Sequence, residues 1–399
     1  MKSRRSNIGL LFFSLVVVMM GFGMMIPILP FLIEAFNASA SALGALMAVY
    51  AAAQFICAPI WGQVSDRIGR KPVLLIGVFG NAIIQIMFGL ATNFTMLFVA
   101  RALAGILSSA TLPTAMAFIS DSTSDEERGG GMGIIGAAMG VGMVIGPGLG
   151  GWLGKDSLST PFFIAAGLSF LALILIMLTL PESLPSEKLI KGGQIRFASQ
   201  FSGMRAAVFG PIGFLLLLAF LVSFGLTSFE SIFGLFALHR FGYGTREVGY
   251  ILMFIGLIGA IVQGALTGPL TKRWGEATVI KVTTLLSALA FVLMLAAFNL
   301  PVLLLTVGFF ILSNSMIRPA VSSLTSKRAT IEQGEAMGWN NAFMSLGRVV
   351  GPLAAGALFD VNLTYPYLMG GLILLLGGIA TLIFLHGAPQ AVEQMQAAD

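Results

Sequence analysis

Gly62-Gln63-Val64-Ser65-Asp66-Arg67-Ile68-Gly69-Arg70-Lys71 is the densest run of charge in the first half of a chain that otherwise avoids charge, and it falls between two long apolar stretches. Its glycines, Gly62 and Gly69, let the backbone turn tightly. One acid and three cations stand where they can stay in water. With apolar flanks of that length the stretch reads as a loop joining two membrane-crossing segments, and the fold follows from how often the pattern recurs.

Composition sets the solvent. The 399 residues are 57% hydrophobic and 10% charged, with a mean hydropathy of +0.94. Water-soluble domains carry about 25% charge, so the expected surroundings are a lipid bilayer. Cys57 is a single cysteine and offers neither a disulfide framework nor a cysteine metal cluster. His239 and His386 are too few and too distant in sequence to suggest a site. The net charge of +5 is explained by its distribution along the chain, with no nucleic-acid partner expected. Met1 to Ser6 is basic and precedes an apolar run longer than a signal-peptide core, without a small-residue cleavage site, so it is read as retained.

Crossing the hydrocarbon takes about 20 apolar residues. About twelve such runs lie near 8–33, 42–63, 73–92, 95–119, 131–154, 160–180, 210–238, 247–270, 278–298, 301–324, 334–358 and 365–386. Repeated spans of this length must be helices, which satisfy their backbone hydrogen bonds internally. Lys and Arg set the orientation. With a cytoplasmic N-terminus the inner segments hold Lys2, Arg4, Arg5, Arg67, Arg70, Lys71, Arg128, Lys188, Lys191, Arg196, Arg205, Lys272, Arg273, Lys281, Lys327 and Arg328, while the outer loops hold Lys155, Arg240 and Arg246. Both termini are then cytoplasmic, and Trp61, Trp152, Trp274 and Trp339 fall near the membrane interfaces.

The longest polar interval divides the chain. The expected organisation is an N-terminal six-helix half over 1–180, a cytoplasmic linker over 181–207, a C-terminal six-helix half over 208–386 and a polar cytoplasmic tail over 387–399. An internal repeat supports it. Gly142-Met143-Val144-Ile145-Gly146-Pro147 recurs as Gly347-Arg348-Val349-Val350-Gly351-Pro352, and Gly62 corresponds to Gly268 in Gly268-Pro269-Leu270-Thr271-Lys272-Arg273-Trp274-Gly275. The second copy carries Thr271 near where an acid is expected, which makes the two loops unequal. Two like-oriented halves imply a cleft that alternates in access as one half rocks against the other.

The stretch from Gly62 to Lys71 resembles the signature loop between the second and third helices of the major facilitator superfamily, with Gly62, Asp66, Arg67, Gly69, Arg70 and Lys71 in the matching places. The resemblance implies an all-α membrane protein of twelve helices in two pseudo-symmetric six-helix bundles. It also implies that Asp66 and its neighbouring cations gate the cytoplasmic side. Gly142, Gly146, Pro147, Gly150 and Gly151 resemble the glycine-proline motif of the antiporter branches, which points to export. Small residues four apart bring helices close, and the proline bends the helix.

Charge inside a span costs at least about 2.5 kcal/mol at the membrane centre unless paired or hydrated. Glu230 is the acid clearly within a span, in Ser223-Phe224-Gly225-Leu226-Thr227-Ser228-Phe229-Glu230-Ser231-Ile232-Phe233. That stretch resembles helix seven of multidrug proton antiporters of Gram-positive bacteria, which implies proton coupling and cationic-drug binding at Glu230. Arg101, in Arg101-Ala102-Leu103-Ala104-Gly105, resembles a family motif whose arginine assists proton movement. Glu34, at the end of helix one, is the carboxylate expected nearest to it by depth. Arg318, in Met316-Ile317-Arg318-Pro319, also matches the multidrug relatives, but Asn314-Ser315 stands where those relatives can carry an acid, so coupling leans on Glu230 and Glu34.

Substrate contacts are expected from Glu230, Phe229, Phe233, Asn340, Asn341, Met143 and Arg318, since methionines repack easily and aromatic faces attract cations. The function these residues imply is proton-coupled antiport of amphipathic, cationic drugs by a monomer in the plasma membrane. It would be driven by the proton gradient, with no cofactor, no metal and no enzymatic activity. Three alternatives stand beside it. A narrow tetracycline exporter shares Pro27-Ile28-Leu29-Pro30, although that branch typically carries an acid where Val18 stands here. A sugar or metabolite symporter calls for more polar spans. A membrane receptor without transport is the third.

Overall fold

The computed structural model describes residues 2–185 and 204–385. Among the described residues twelve helices are long and apolar enough to cross a membrane: α1 (Ile8–Met25), α2 (Ala40–Ile68), α3 (Arg70–Gly89), α4 (Phe94–Ser122), α5 (Gly129–Gly154), α6 (Thr160–Thr179), α7 (Gly213–Phe241), α8 (Thr245–Trp274), α9 (Glu276–Ala296), α10 (Leu300–Arg328), α11 (Gln333–Val361) and α12 (Tyr365–Phe384). Among the described residues no strand is present. Of the expected linker, 186–203 lie outside the described residues, as do Lys188, Lys191, Arg196, His386 and the tail over 387–399.

Several spans depart from one regular helix. The run expected as one helix over 8–33 is two, because the chain turns after Met25 and resumes as a short helix over Leu29–Ala35 that carries Glu34. Pro27 lacks an N–H and clashes with the preceding turn, whereas Pro30 sits at the start of the new helix, where a proline is tolerated. Within α4 the helix tightens to a 3-10 turn over Ser108–Ala110, just before Pro113. Within α8 it widens to a π-turn over Val262–Leu266, where the Thr267 hydroxyl donates to the Val262 carbonyl at 2.9 Å. Asn93 and Asn299 cap the starts of α4 and α10 by accepting from the N–H groups of Met96 and Val302.

The described residues gather into two compact units. One holds those within 1–199, 230–257 and 348–363, and the other those within 200–229, 258–347 and 364–399. In the first, α1 packs against α5 and α6, α3 against α6, and α2 against α4. Its apolar core divides into one cluster around Leu29, Leu43, Phe88, Leu97 and Phe162 and another around Leu15, Leu74, Phe118 and Ile176. In the second unit α9 packs against α10 and α12, over a cluster that includes Leu218, Val279, Ile317 and Val321. Outward-facing apolar side chains such as Leu178, Leu305, Leu376 and Phe384 remain exposed, which suits a lipid solvent.

Candidate functional site

The Gly62–Lys71 loop contracts to a hinge of one residue. α2 ends at Ile68 and α3 begins at Arg70, with Gly69 between them at φ 101°, a conformation that favours glycine. The carboxylate of Glu182 accepts from the backbone N–H groups of Arg70 at 2.9 Å and Lys71 at 3.0 Å, so the first turn of α3 is capped from beyond the end of α6. Arg70 itself is buried. Its guanidinium donates to Asp66 at 2.6 Å, to Asp121 at the end of α4 at 2.9 Å and to the Ser65 hydroxyl at 2.5 Å. Lys71 reaches the Met177 carbonyl at 2.9 Å, Arg67 is half-buried, and Gly62 has open space beside it.

The second half carries the same device with its charges exchanged. The offset that takes Gly62 to Gly268 takes Ser65 to Thr271, and each hydroxyl donates back to the glycine carbonyl three residues earlier. The same offset takes Arg70 to Glu276 and Asp121 to Lys327, and Lys327 donates to Glu276 at 2.5 Å. The same offset sets Lys272 against Asp66, so the second loop lacks an acid at that place, as the sequence suggested. Thr271 replaces a hydroxyl rather than an acid, and the acid appears at Glu276, where the first half has its arginine.

In α5, Gly142, Gly146 and Gly150 form the seam against α1. A Cβ on Gly142 would meet Met19 Cβ at 2.5 Å, and one on Gly150 would overlap the Met24 carbonyl. Pro147 packs against Gly23 on the same seam. Gly151 faces α8 instead, where a Cβ would overlap the Thr245 carbonyl and come within 2.8 Å of Gly249 Cα. The end of this unit away from the Gly62–Lys71 loop is closed by similar contacts. A Cβ on Gly44 of α2 would overlap the Pro352 carbonyl of α11, and Gly356 lies as close to the Ala40 carbonyl.

Arg101 and Glu34 are not partners. Arg101 is fully buried, and its guanidinium lies 4.7 Å from the ring centre of Tyr50 and 5.6 Å from that of Phe22. Its Nη atoms contact the sulfurs of Met25 at 3.5 Å and Met47 at 2.9 Å. Its Nε has no hydrogen-bond partner. Glu34, expected beside it, is exposed and binds His239 at 2.6 Å, because the break after Met25 carries the short helix away toward the end of α7.

Glu230 lies half-buried well inside α7, near enough to Arg348 of α11 for the two charges to interact. The other expected contact residues are dispersed. Phe229 is fully buried against Phe291 and Phe310, with ring centres 6.4 Å and 5.2 Å away. Phe233 is fully buried too, and Met143 is half-buried with its carbonyl against Gly256. Asn340 is buried and donates to the Ser322 hydroxyl at 3.1 Å, leaving its side-chain oxygen without a partner. Asn341 and Arg318 are exposed.

A family model described as the Major Facilitator Superfamily matches residues 11–330 and 264–396. The chain belongs to the Major Facilitator Superfamily. Among members of known designation, it is 36% identical over 381 residues to Multidrug resistance protein 1 of Bacillus subtilis, covering 94% of this chain and 96% of that protein. It is 29% identical over 378 residues to Quinolone resistance protein NorA of Staphylococcus aureus, covering 94% and 96%. A crystal structure of a point mutant of the nucleoside transporter NupG shares the fold with a TM-score of 0.81 at 14% identity, over 95% of this chain and 100% of that one.

Within this major facilitator, sequence reasoning missed Asp121, Glu182, Tyr50, His239 and Asp360. Asp121 was within reach through the internal repeat, which sets it against Lys327. His239 had no local signal, since its partner lies 205 residues earlier.

Proposed function

We propose that this major facilitator is a multidrug exporter of the bacterial plasma membrane that expels amphipathic cations in exchange for protons and so confers antibiotic resistance. One observation carries the reading: Glu230 is a half-buried carboxylate inside a membrane-length helix, in the electrostatic field of Arg348. The full-length similarity to Multidrug resistance protein 1 supports it. Desolvation makes the ionised form of such a carboxyl costly, so a proton and a cationic substrate compete to neutralise it. A proton from outside takes the Glu230 carboxylate and the drug leaves outward. The protonated carrier then reopens inward, releases the proton and binds the next drug.

On this reading the termini and the Gly62–Lys71 loop are cytoplasmic, and the Gly44–Pro352 contact belongs to the outer seal. The transporter works as a monomer, draws on the proton gradient and needs no cofactor or metal. Asp66 and its cations serve the inner gate, the α5 glycines serve the sliding seam, and Glu34 with His239 stands at the outer end. Asn341, Met143 and Arg318 remain candidate substrate contacts, with Phe229, Phe233 and Asn340 supporting them from the interior.

The test is export of a fluorescent lipophilic cation from proteoliposomes carrying an imposed proton gradient. Wild type should extrude the dye and Glu230→Gln should not, and the neutral variant should bind the dye more weakly. Proton-driven export that persists in Glu230→Gln removes that residue from coupling, and dye movement indifferent to the gradient rejects antiport.

A further inference from the structure

Arg101 presents a physical problem. A guanidinium taken fully out of water normally needs a carboxylate, because desolvating a charge costs several kcal/mol. Among the described residues none lies within ion-pairing distance of Arg101. What surrounds the charge instead is soft and polarisable. The faces of Tyr50 and Phe22, whose ring centres are 5.4 Å apart and whose planes meet at 35°, form a corner over the guanidinium, and two thioethers close it.

Aromatic faces and sulfur are the groups that stabilise a cation which cannot give a proton and needs no hydrogen bond. They suit an arginine poorly, since its Nε–H is left unpaired. They suit a quaternary or delocalised lipophilic cation well. Phe22, Tyr50 and Met47 are only half-buried, whereas Met25 and Arg101 are enclosed.

We propose that Phe22, Tyr50, Met25 and Met47 form a cage for the lipophilic cationic head of a substrate, and that Arg101 occupies it as an internal stand-in which the substrate displaces. The inference rests on the cation-export reading and adds the subsite. Arg101 then opposes binding by occupancy and by charge, so removing it tightens cation binding, whereas a residue that merely held the fold would not have that effect. Tyr50 acts through its ring face rather than its hydroxyl, which accepts from Gln54 at 3.2 Å.

The experiment measures calorimetric binding to the purified full-length transporter in lipid nanodiscs. The two probes are tetraphenylphosphonium, a permanent cation, and triphenylphosphine oxide, a neutral molecule of similar aromatic surface. Arg101→Gln should tighten phosphonium binding about tenfold and change oxide binding less than about twofold. Tyr50→Leu and Phe22→Leu should each weaken phosphonium binding about five- to tenfold with little change for the oxide, and Tyr50→Phe should bind as wild type does. Arg101→Met serves if the glutamine variant does not give monodisperse protein. Unchanged or weaker phosphonium binding in a folded Arg101 variant overturns the cage, as does equal weakening of both probes in the leucine variants. Wild-type proton-driven export, read separately, tells the two failures apart. If export stands while the variants behave as wild type, only the cage is wrong; if wild type neither binds nor exports the phosphonium, the substrate reading falls with it.

Discussion

The carboxylate of Asp360, near the end of α11, caps α2 at Ser41, accepting from that residue's backbone N–H at 3.0 Å and from its hydroxyl as well, and from the N–H of Ala40 at 2.8 Å. A carboxylate at a helix N-terminus satisfies donors that have no partner inside the helix and complements the helix dipole. Here the acid comes from a different helix, so the cap is also a clasp between α2 and α11. Asp360→Asn keeps the shape but places an NH2 group against one of the two N–H donors. The expected outcome is a loss of about 1–2 kcal/mol from this contact, read as an increased population with α2 and α11 apart in spin-label distance measurements. Unchanged distances would show that the clasp does not hold this end closed.

Gly44 sits where that clasp brings two backbones together. Its missing side chain faces the Pro352 carbonyl, a backbone atom that cannot swing aside as a flexible side chain could. Gly44→Val should therefore keep the α2–α11 contact from forming and reduce transport more than about tenfold, a cost above about 1.4 kcal/mol. Gly167→Val, at an exposed position of α6 with open space beside it, is the control and should transport at close to the wild-type rate. Equal activity of the two variants would refute the close-approach argument.

The bilayer explains why so much of this fold was legible. Each span must be apolar over about 20 residues, so the helix number and the approximate boundaries stood in the sequence itself. The break after Met25 was marked by Pro27 and Pro30 and still went unread, because hydropathy does not distinguish one long helix from two short ones. Site residues split the same way. The Gly62–Lys71 loop and Glu230 stand out because charge is conspicuous in an apolar chain. The cage around Arg101 is made of Phe, Tyr and Met, the residues that a membrane helix uses everywhere, and only their assembly around one guanidinium gives them meaning.

The exchanged ion pairs should differ in strength although their positions correspond. Arg70 is buried between Asp66 and Asp121, so Arg70→Ala leaves two acids facing each other without their cation and should cost about 3 kcal/mol. Lys327 has a side chain 63% exposed, and Lys327→Ala should cost no more than about 1 kcal/mol. Glu276→Lys combined with Lys327→Glu restores opposite charges and should recover stability lost in either single exchange. Thermal unfolding in detergent checks the order, and an equal loss for the two alanine variants would contradict it.

Asp66 is the outermost member of its network, with a side chain 37% exposed, and Arg70 keeps Asp121 when Asp66 loses its charge. Asp66→Asn should then leave the protein folded and its affinity for a cationic dye within about twofold of wild type, while slowing the turnover of proton-driven export. Lost dye binding with normal turnover would contradict that division of labour.

Glu34 and His239 test whether a membrane carboxylate must lie deep to couple protons. Both side chains are almost half exposed, at 44% and 45%, and each holds the other at 2.6 Å between the short helix that follows α1 and the end of α7. A carboxylate in that position can exchange protons with water directly, so it has no need to exchange one for a drug. Glu34→Gln should lower the export rate by about threefold at most and leave the proton requirement intact, unlike Glu230→Gln. Because each residue acts through the other, His239→Gln should give the same loss and the double variant no more than either single one, the behaviour expected of residues that share one interaction. Additive losses would separate the two residues, and abolished coupling in Glu34→Gln would move the proton site from α7 to this pair.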